Sequence, residues 1–525
     1  MTKRIDKVMV EIANEEQRSA SRRRGAALSY VYSIAQIVVN LLYVPLLIRG
    51  LGSEEYGLFQ LIGSVMAYIT IMNTMFSGGV TRFYCKFFFS DDEKGMENSL
   101  AVCRGIYYVA SIVAVAVGIA VAFIVRFVYA DVLTSFQLTE TSIMLAILIF
   151  NLIITMHNSI NTAIINAHER FVFLQCIQII SVILQPVLVI CLISNFPCAT
   201  TICCVQLLAN CCCALAQRIF ARNILKGRVK RHYKDNKLLK EILLYSSAIL
   251  LALIADQIFW KTNQLVLGAI CGMSIVAVYA VAMQVAQTAY QPLGIALSGI
   301  FTPKLSELYF KENNIHAISD LFTSVGRVVA YPLILVLFGF IVFGKQFIYL
   351  WAGPGFEDAY WIAIVVMVPF TVDLMQNLGI SILQVMNKYS FRGKMYLFMA
   401  IVNIIFVLIV IPQYGAIGAA AVSGLTMFIG NGLIMNIYYS KVIGLNVRKY
   451  WRNVIRVIMP FMVLLGMALF VWLSIPINTY SWVVLILGII IFSVCYFLVA
   501  YFASMNEYER RLVKKIFPIR SIKKN

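Results

Sequence analysis

Apolar runs long enough to cross a lipid bilayer recur along the whole of this 525-residue chain, from Ala26–Ile48 to Trp482–Tyr501. About 20 apolar residues cover the hydrocarbon core as a helix. Inside that core every backbone N–H and C=O must be satisfied by the chain itself, which leaves helices or a closed barrel. Runs of this length, without alternation, select the helix. Fourteen such runs can be marked, so the sequence predicts an all-α polytopic membrane protein with about fourteen transmembrane helices. Charged residues make up 13% of the chain, against about 25% in soluble domains, and no stretch is polar enough to form a separate soluble domain.

Lysine and arginine orient these spans, because cytoplasmic loops retain them. With the N-terminus inside, the outer segments hold only Arg49, Arg126 and Lys345, and Lys261 lies within a span. The rest of the 43 basic residues fall inside. A wrong span count would scramble that separation. Both termini are therefore expected in the cytoplasm. The formal charge of +19 reads as anchoring against anionic lipid rather than as nucleic-acid binding. Residues 1–25 form a cytoplasmic amphipathic segment, with Ile5, Val8, Met9 and Ile12 at helical spacing beside Lys3, Arg4 and Lys7.

Several classes of chemistry lack their residues. The outer loops are short, and there is no D-x-D, H-E-x-x-H, P-loop or G-x-S-x-G motif. Four histidines and few acidic residues in the spans make a catalytic constellation hard to assemble. Cys203, Cys204, Cys211, Cys212 and Cys213 crowd one span without zinc-site spacing to histidines and read as small packing residues. No enzyme, metal or cofactor is expected.

An internal repeat is visible. Gly52-Ser-Glu-Glu-Tyr-Gly57-Leu-Phe59 and Gly272-Met-Ser-Ile-Val-Ala277-Val-Tyr279 both read glycine, four residues, small, one residue, aromatic, 220 positions apart. The same offset lays Asn166–Phe171 on Met386–Phe391 and Ser194-Asn195 on Tyr414-Gly415. The pattern predicts two parallel six-helix lobes plus two C-terminal helices around a central cavity, an architecture suited to alternating access. The expected divisions are an N-lobe over 26–217, a basic linker over 218–241, a C-lobe over 242–440, the last two helices within 441–503 and a basic tail over 504–525.

Polar residues inside spans are costly and mark functional candidates. Asp256 and Lys261 lie near the middle of the seventh span, about 140° apart around a helix. Gln257, Lys261 and Gln264 share a face. In the eighth span Gln284, Gln287 and Gln291 recur at i, i+3 and i+7. Gln36, Asn40 and Asn73 add amides from the first two spans, and Asp373 marks the tenth with Gln376 and Asn377. These groups are candidates to line one polar cavity. The competing reading is interhelical salt bridges and amide contacts between packed helices.

The run Tyr43-Val-Pro-Leu-Leu-Ile-Arg-Gly-Leu-Gly-Ser-Glu-Glu-Tyr-Gly-Leu-Phe59 resembles the first loop of polysaccharide-biosynthesis flippases of the Wzx type. Gly78-Gly-Val-Thr-Arg-Phe83, Ala167-His-Glu-Arg-Phe171 and Tyr414-Gly-Ala-Ile-Gly-Ala-Ala420 are similar to the same family. That family sits in the multidrug/oligosaccharidyl-lipid/polysaccharide exporter superfamily. The resemblance implies a bacterial inner-membrane protein that flips an undecaprenyl pyrophosphate-linked oligosaccharide to the outer leaflet. The product would feed capsule, exopolysaccharide or O-antigen synthesis, with a polysaccharide polymerase and a chain-length regulator as possible partners.

Under that implication Lys261 meets pyrophosphate or an acidic sugar, and the amides meet sugar hydroxyls. Trp260 stacks on a sugar ring, and Asp256 and Asp373 are coupling-ion candidates. Two alternatives remain: a drug or small-cation exporter of the same superfamily, and a membrane enzyme such as a polysaccharide polymerase. The topology is directly testable. In a cysteine-free background, single cysteines at Ser53 and Gly355 should react with an impermeant thiol reagent from outside, and one at Asn236 should not. Outside labelling of Asn236 would reverse the orientation.

Overall fold

The protein is seen as a computed structural model that describes residues 2–90, 92–294, 301–312, 314–474, 481–507 and 509–510. Side chains of residues 2–23 lie outside the described set, and so does the expected amphipathic face of Ile5, Val8, Met9 and Ile12. Most of the basic C-terminal tail also lies outside it. The described residues are helical with short connections and no strand. Eleven described helices are long and apolar enough to cross a membrane.

Two of these are far longer than one crossing needs. Ala27–Phe88 has 62 residues and Tyr389–Ile443 has 55, whereas about 20 suffice. Each is interrupted by one glycine, Gly52 at φ 82°, ψ 170° and Gly415 at φ 55°, ψ −139°. Both lie where the sequence expects a loop between two spans. Glycine tolerates these dihedrals because it has no Cβ.

The chain forms two compact units, Met1–Ala277 and Val278–Asn525. In the first, helix Asn236–Cys271 runs along the second span for most of its length. A Cβ on Gly57 would strike the Met273 carbonyl oxygen, so only glycine allows the backbones this close. Further in, Ser64 donates to Gln264, Tyr68 shares a 2.6 Å hydrogen bond with Thr262, and Tyr68 also donates to the Gln257 carbonyl. At the far end of the second span from Gly57, the Arg82 guanidinium lies 4.7 Å from the centre of the Tyr245 ring. Close backbones plus hydroxyl and amide bonds are how helices associate where apolar burial gives no net driving force.

The second unit is held at one end by a buried ion pair. Arg327 donates to both Glu509 oxygens, at 2.7 and 2.9 Å, and Tyr331 adds a third bond at 3.0 Å. The Asn506 N–H adds a fourth. The start of the tail is thereby tied to helix Ile315–Ala352 by a fork-shaped contact that matches guanidinium to carboxylate.

Positions about 220 residues apart repeat local geometry as well as sequence, the first pair lying within the first unit. Gly272 has φ 87°, ψ 173°, close to Gly52. Glu169 and Asn387 share a left-handed φ of 56° and 54°. The Arg170 N–H bonds the Ile165 carbonyl, and the Lys388 N–H bonds the Leu383 carbonyl. Rings Phe173–Phe220 and Phe391–Tyr438 stack at 3.8 and 4.0 Å. These pairs are 218 apart, so the second loop match shifts by two residues from the sequence alignment. Phe391 corresponds to Phe173, whose ring role it repeats, and not to Phe171. Each unit also fastens its inner connection to the start of a long helix. Asn98 accepts from the His232 and Tyr233 N–H groups, and Ser319 accepts from the Asn446 N–H.

The Arg327–Glu509 tie predicts a stability effect. Burial opposes ionisation of Glu509, but the bonds from Arg327, Asn506 and Tyr331 outweigh it and hold the carboxyl below its usual range. Its stabilisation is full above the unfolded carboxyl pKa, about 4.3, and is lost as pH falls through the lower folded value. Glu509→Gln leaves a buried guanidinium without its counter-charge and should cost about 3–5 kcal/mol. Thermal unfolding of the detergent-solubilised protein should show this loss at pH 7. Arg327→Met combined with Glu509→Leu should recover most of it. An unchanged Tm in Glu509→Gln would refute the tie.

Candidate functional site

The seventh helix carries the densest group of sequence-predicted residues. Gln264 is buried and its oxygen is engaged by Ser64. It contributes directly to holding the helix on the second span. Gln257 gives its carbonyl to Tyr68 and is itself half-buried. Lys261 is half-buried between Thr262 and Gln264, which both contact the second span. It makes no hydrogen bond or close ion pair with any described residue, and the charge it senses is that of Asp256. Trp260 is half-buried and sits edge-on to Phe259, with ring centres 5.6 Å apart.

The glutamines of the eighth span meet a local change in winding. Val285–Tyr290 is a π-helical turn, flanked by Gln284 and Gln291 and containing Gln287. A π turn carries one residue more than an α turn. It rotates Gln291 by about 100° from the position that α spacing assigns. All three side chains are half-buried. The i, i+3, i+7 pattern therefore does not by itself place them on one face. Such turns often occur at functional sites.

The tenth span is broken near its acidic residue. Helix Asp358–Met375 ends, Gln376 and Asn377 form a turn, and helix Leu378–Val385 follows. The Gly379 N–H reaches the Gln376 carbonyl and the Ile380 N–H reaches that of Asn377, so bonds are three residues apart where an α-helix has four. Discontinuous spans free backbone groups and commonly carry binding sites. Asp373 lies one turn before the break, 3.9 Å from the Arg392 guanidinium. Sequence reasoning missed Arg392 because it counted among the inner anchors. Its sign was legible, but the neighbour it meets across two helices was not.

The amides of the first two spans are separate. Asn73 accepts a 3.3 Å hydrogen bond from Ser159 on the fourth span. Asn40 is half-buried and Gln36 is exposed on the first. The structure thus bonds the Gln264 side chain and the Gln257 carbonyl to the second span, with Lys261 between them in sequence. Asn73 joins the fourth span, and Asp373 joins Arg392. Ser64, Tyr68 and Thr262 were not singled out from sequence, because hydroxyls in a span look like ordinary packing residues.

This geometry can be set beside known proteins. The fold is similar to that of the lipid II flippase MurJ in an inward closed conformation, with a TM-score of 0.70 at 13% identity. That match covers 91% of this chain and 98% of the other. It is also similar to an inward-facing multidrug resistance MATE transporter of the MOP superfamily, with a TM-score of 0.60 at 15% identity over 76% of this chain and 96% of the other. A MOP superfamily transporter from Pyrococcus furiosus matches with a TM-score of 0.50 at 15% identity, over 79% and 91%. No curated protein sequence matches. The family described as polysaccharide biosynthesis protein matches residues 46–360, more than half of the chain, and the chain is a polytopic membrane protein that belongs to that family.

Proposed function

We propose that this protein is a transporter that moves a lipid-linked oligosaccharide, carried on undecaprenyl pyrophosphate, from the cytoplasmic to the outer leaflet of a bacterial inner membrane. The family supports the polysaccharide assignment, and the similarity to a lipid II flippase supports a lipid-linked cargo. Lys261 is the observation that carries the reading. A lysine at the centre of a span costs about 2.5–3.5 kcal/mol on insertion scales. That cost is tolerable where the ammonium faces water or an anionic ligand. Here it has no acceptor among the described residues. Lys261 serves the pyrophosphate or an acidic sugar as a point charge. Gln257, Gln284, Gln287, Gln291, Asn40 and Asn73 hydrogen-bond sugar hydroxyls, and Trp260 offers a stacking face.

Asp256 and Asp373 are the coupling-ion groups in this reading. The two termini face the cytoplasm, and a polymerase and chain-length regulator act on the delivered product. The protein performs no glycosyl chemistry of its own. A drug exporter is the second reading, favoured by the MATE likeness and by Asp256. It asks for an acidic site, which a lysine opposes.

The test follows from the charge. Lys261→Ala should insert normally, since the span becomes more apolar. Surface polysaccharide should fall about tenfold or more, the scale of one charged hydrogen bond, and the lipid-linked precursor should accumulate. Lys261→Arg should keep part of the activity, because the charge persists while the shape changes. Protein abundance is measured in parallel. If Lys261 is only the partner of Asp256, Lys261→Ala should lower abundance. A double replacement of Lys261 and Asp256 by leucine would then restore both abundance and transport. Full transport at full abundance in Lys261→Ala would eliminate the anion role.

A further inference from the structure

A second basic site lies in the first unit, and none of the residues assigned above to substrate lines it. The third, fourth and sixth spans, in helices Glu93–Val128, Ser135–Ala167 and Ala199–Ile224, line an open cavity of about 560 Å³, within the 300–1,000 Å³ usual for ligand sites. Three guanidinium groups line it, from Arg104, Arg218 and Arg222. Arg222 senses the charges of both others, so the three repel one another. None has a carboxylate or carbonyl partner among the described residues. Arg104 is half-buried and Arg218 and Arg222 are exposed, so solvent screens much of this repulsion, and an anion seated among the three would remove the rest.

The sixth span also changes its winding here. Arg222 sits in a π-helical turn, Phe220–Ile224, and such turns often mark functional sites.

The wall adds a further polar group. His157 lines the cavity, and its Nδ1 lies 2.9 Å from the Ile153 carbonyl. That carbonyl can only accept, so Nδ1 donates to it, and Nε2 is the nitrogen left for a ligand, which it serves as a donor to phosphate when the ring carries both protons. Nε2 is left buried with no partner. Buried polar atoms are normally satisfied. The neighbouring amides do not serve it, because Asn158 donates to Gln217 and Asn161 donates to Asn158.

Position narrows the ligand. Arg104 lies inside helix Glu93–Val128, just before its long apolar run, and Arg218 lies in helix Ala199–Ile219, just after its apolar run. In the topology expected from the basic residues, both are at the cytoplasmic ends of those runs, which sets the cavity at inner-leaflet headgroup depth. Its rim includes Tyr108 and Leu215, each 57% exposed, on spans whose outward residues face lipid. A ligand that enters sideways here brings an apolar tail and an anionic head. Arginine matches phosphate oxygens two at a time, and basic pockets between spans on the cytoplasmic side hold anionic headgroups. We propose that Arg104, Arg218 and Arg222, with His157, form an inner-leaflet site for a lipid-borne phosphate.

Two lipids carry that chemistry, an anionic phospholipid and a polyprenyl pyrophosphate. Only the second depends on the flippase reading. Full-length protein in detergent is titrated separately with phosphatidylglycerol, undecaprenyl pyrophosphate and phosphatidylcholine, and bound lipid is read by native mass spectrometry. At least one of the two anionic lipids should bind about tenfold or more tightly than phosphatidylcholine. Replacing all three arginines with glutamine should abolish that preference, and replacing them with lysine should retain part of it.

Arg222→Gln alone, at an exposed position, should weaken binding severalfold and covers the case in which the triple variant does not fold. Tighter binding of undecaprenyl pyrophosphate names the carrier as occupant. Tighter binding of phosphatidylglycerol names a bilayer lipid and leaves the site standing even if Lys261→Ala proves silent. Equal binding of phosphatidylcholine would overturn the site. Unchanged anionic binding in a folded triple-glutamine variant would overturn it as well.

Discussion

A backbone in hydrocarbon has no water to bond to, and most features of this chain follow from that. Every N–H and C=O within a span must be closed by the chain, so helices run until something can take over their last bonds. Gly52, Gly272 and Gly415 do this with dihedrals that other residues resist, at the ends of spans. After Ile165 and Leu383 the same task is done by left-handed Glu169 and Asn387 with a returning N–H bond. The recurring geometry at positions about 220 residues apart is thus a repeated solution to one backbone problem.

The same absence of water changes what holds helices together. Apolar side chains are as content against lipid as against each other, so adhesion falls to close approach and to polar bonds. Gly57 lets the start of helix Met273–Gln284, just after the seventh helix, approach the second span, and Ser64, Tyr68, Thr262 and Gln264 bond the seventh helix to it along the middle. A polar residue in a span therefore has two possible occupations, adhesion or ligand contact. Gln264 is engaged in the first, buried and bonded. Lys261, three residues earlier, has no such bond, although it lies on the same side of the helix. The distinction is visible only when neighbours are known.

That explains how far the sequence could be read. Span length, loop glycines and the distribution of basic residues are local or one-dimensional properties. They were legible, and so was the family. Pairings across helices were not. Arg392 looked like a loop anchor until it met Asp373. Arg104 and Arg218, 114 positions apart, looked like unrelated inner charges until they lined one cavity. The π turns at Val285–Tyr290 and Phe220–Ile224 carry no composition signal. They undo the regular spacing on which any face assignment rests. Even the repeat was misread by two residues at its second loop, because matching Phe171 to Phe391 satisfied letter identity but not ring geometry.

Charge placement separates parts that must stay put from parts that must exchange partners. Glu509 and Arg327 satisfy each other with four further contacts, so neither is available to a ligand. Breaking that set exposes a buried charge, which makes it a fixed joint. Asp373 and Arg392 are further apart, at 3.9 Å, and sit beside a broken helix whose turn has loosened the bonding pattern. Lys261 and the three cavity arginines go further, because the described structure gives them no bonded counter-charge at all. A membrane protein tolerates that arrangement when the missing charge comes and goes with its cargo or its lipid. The gradient from closed pair to open pair to unaccompanied cation therefore runs from the elements that hold the fold to those positioned to meet a ligand.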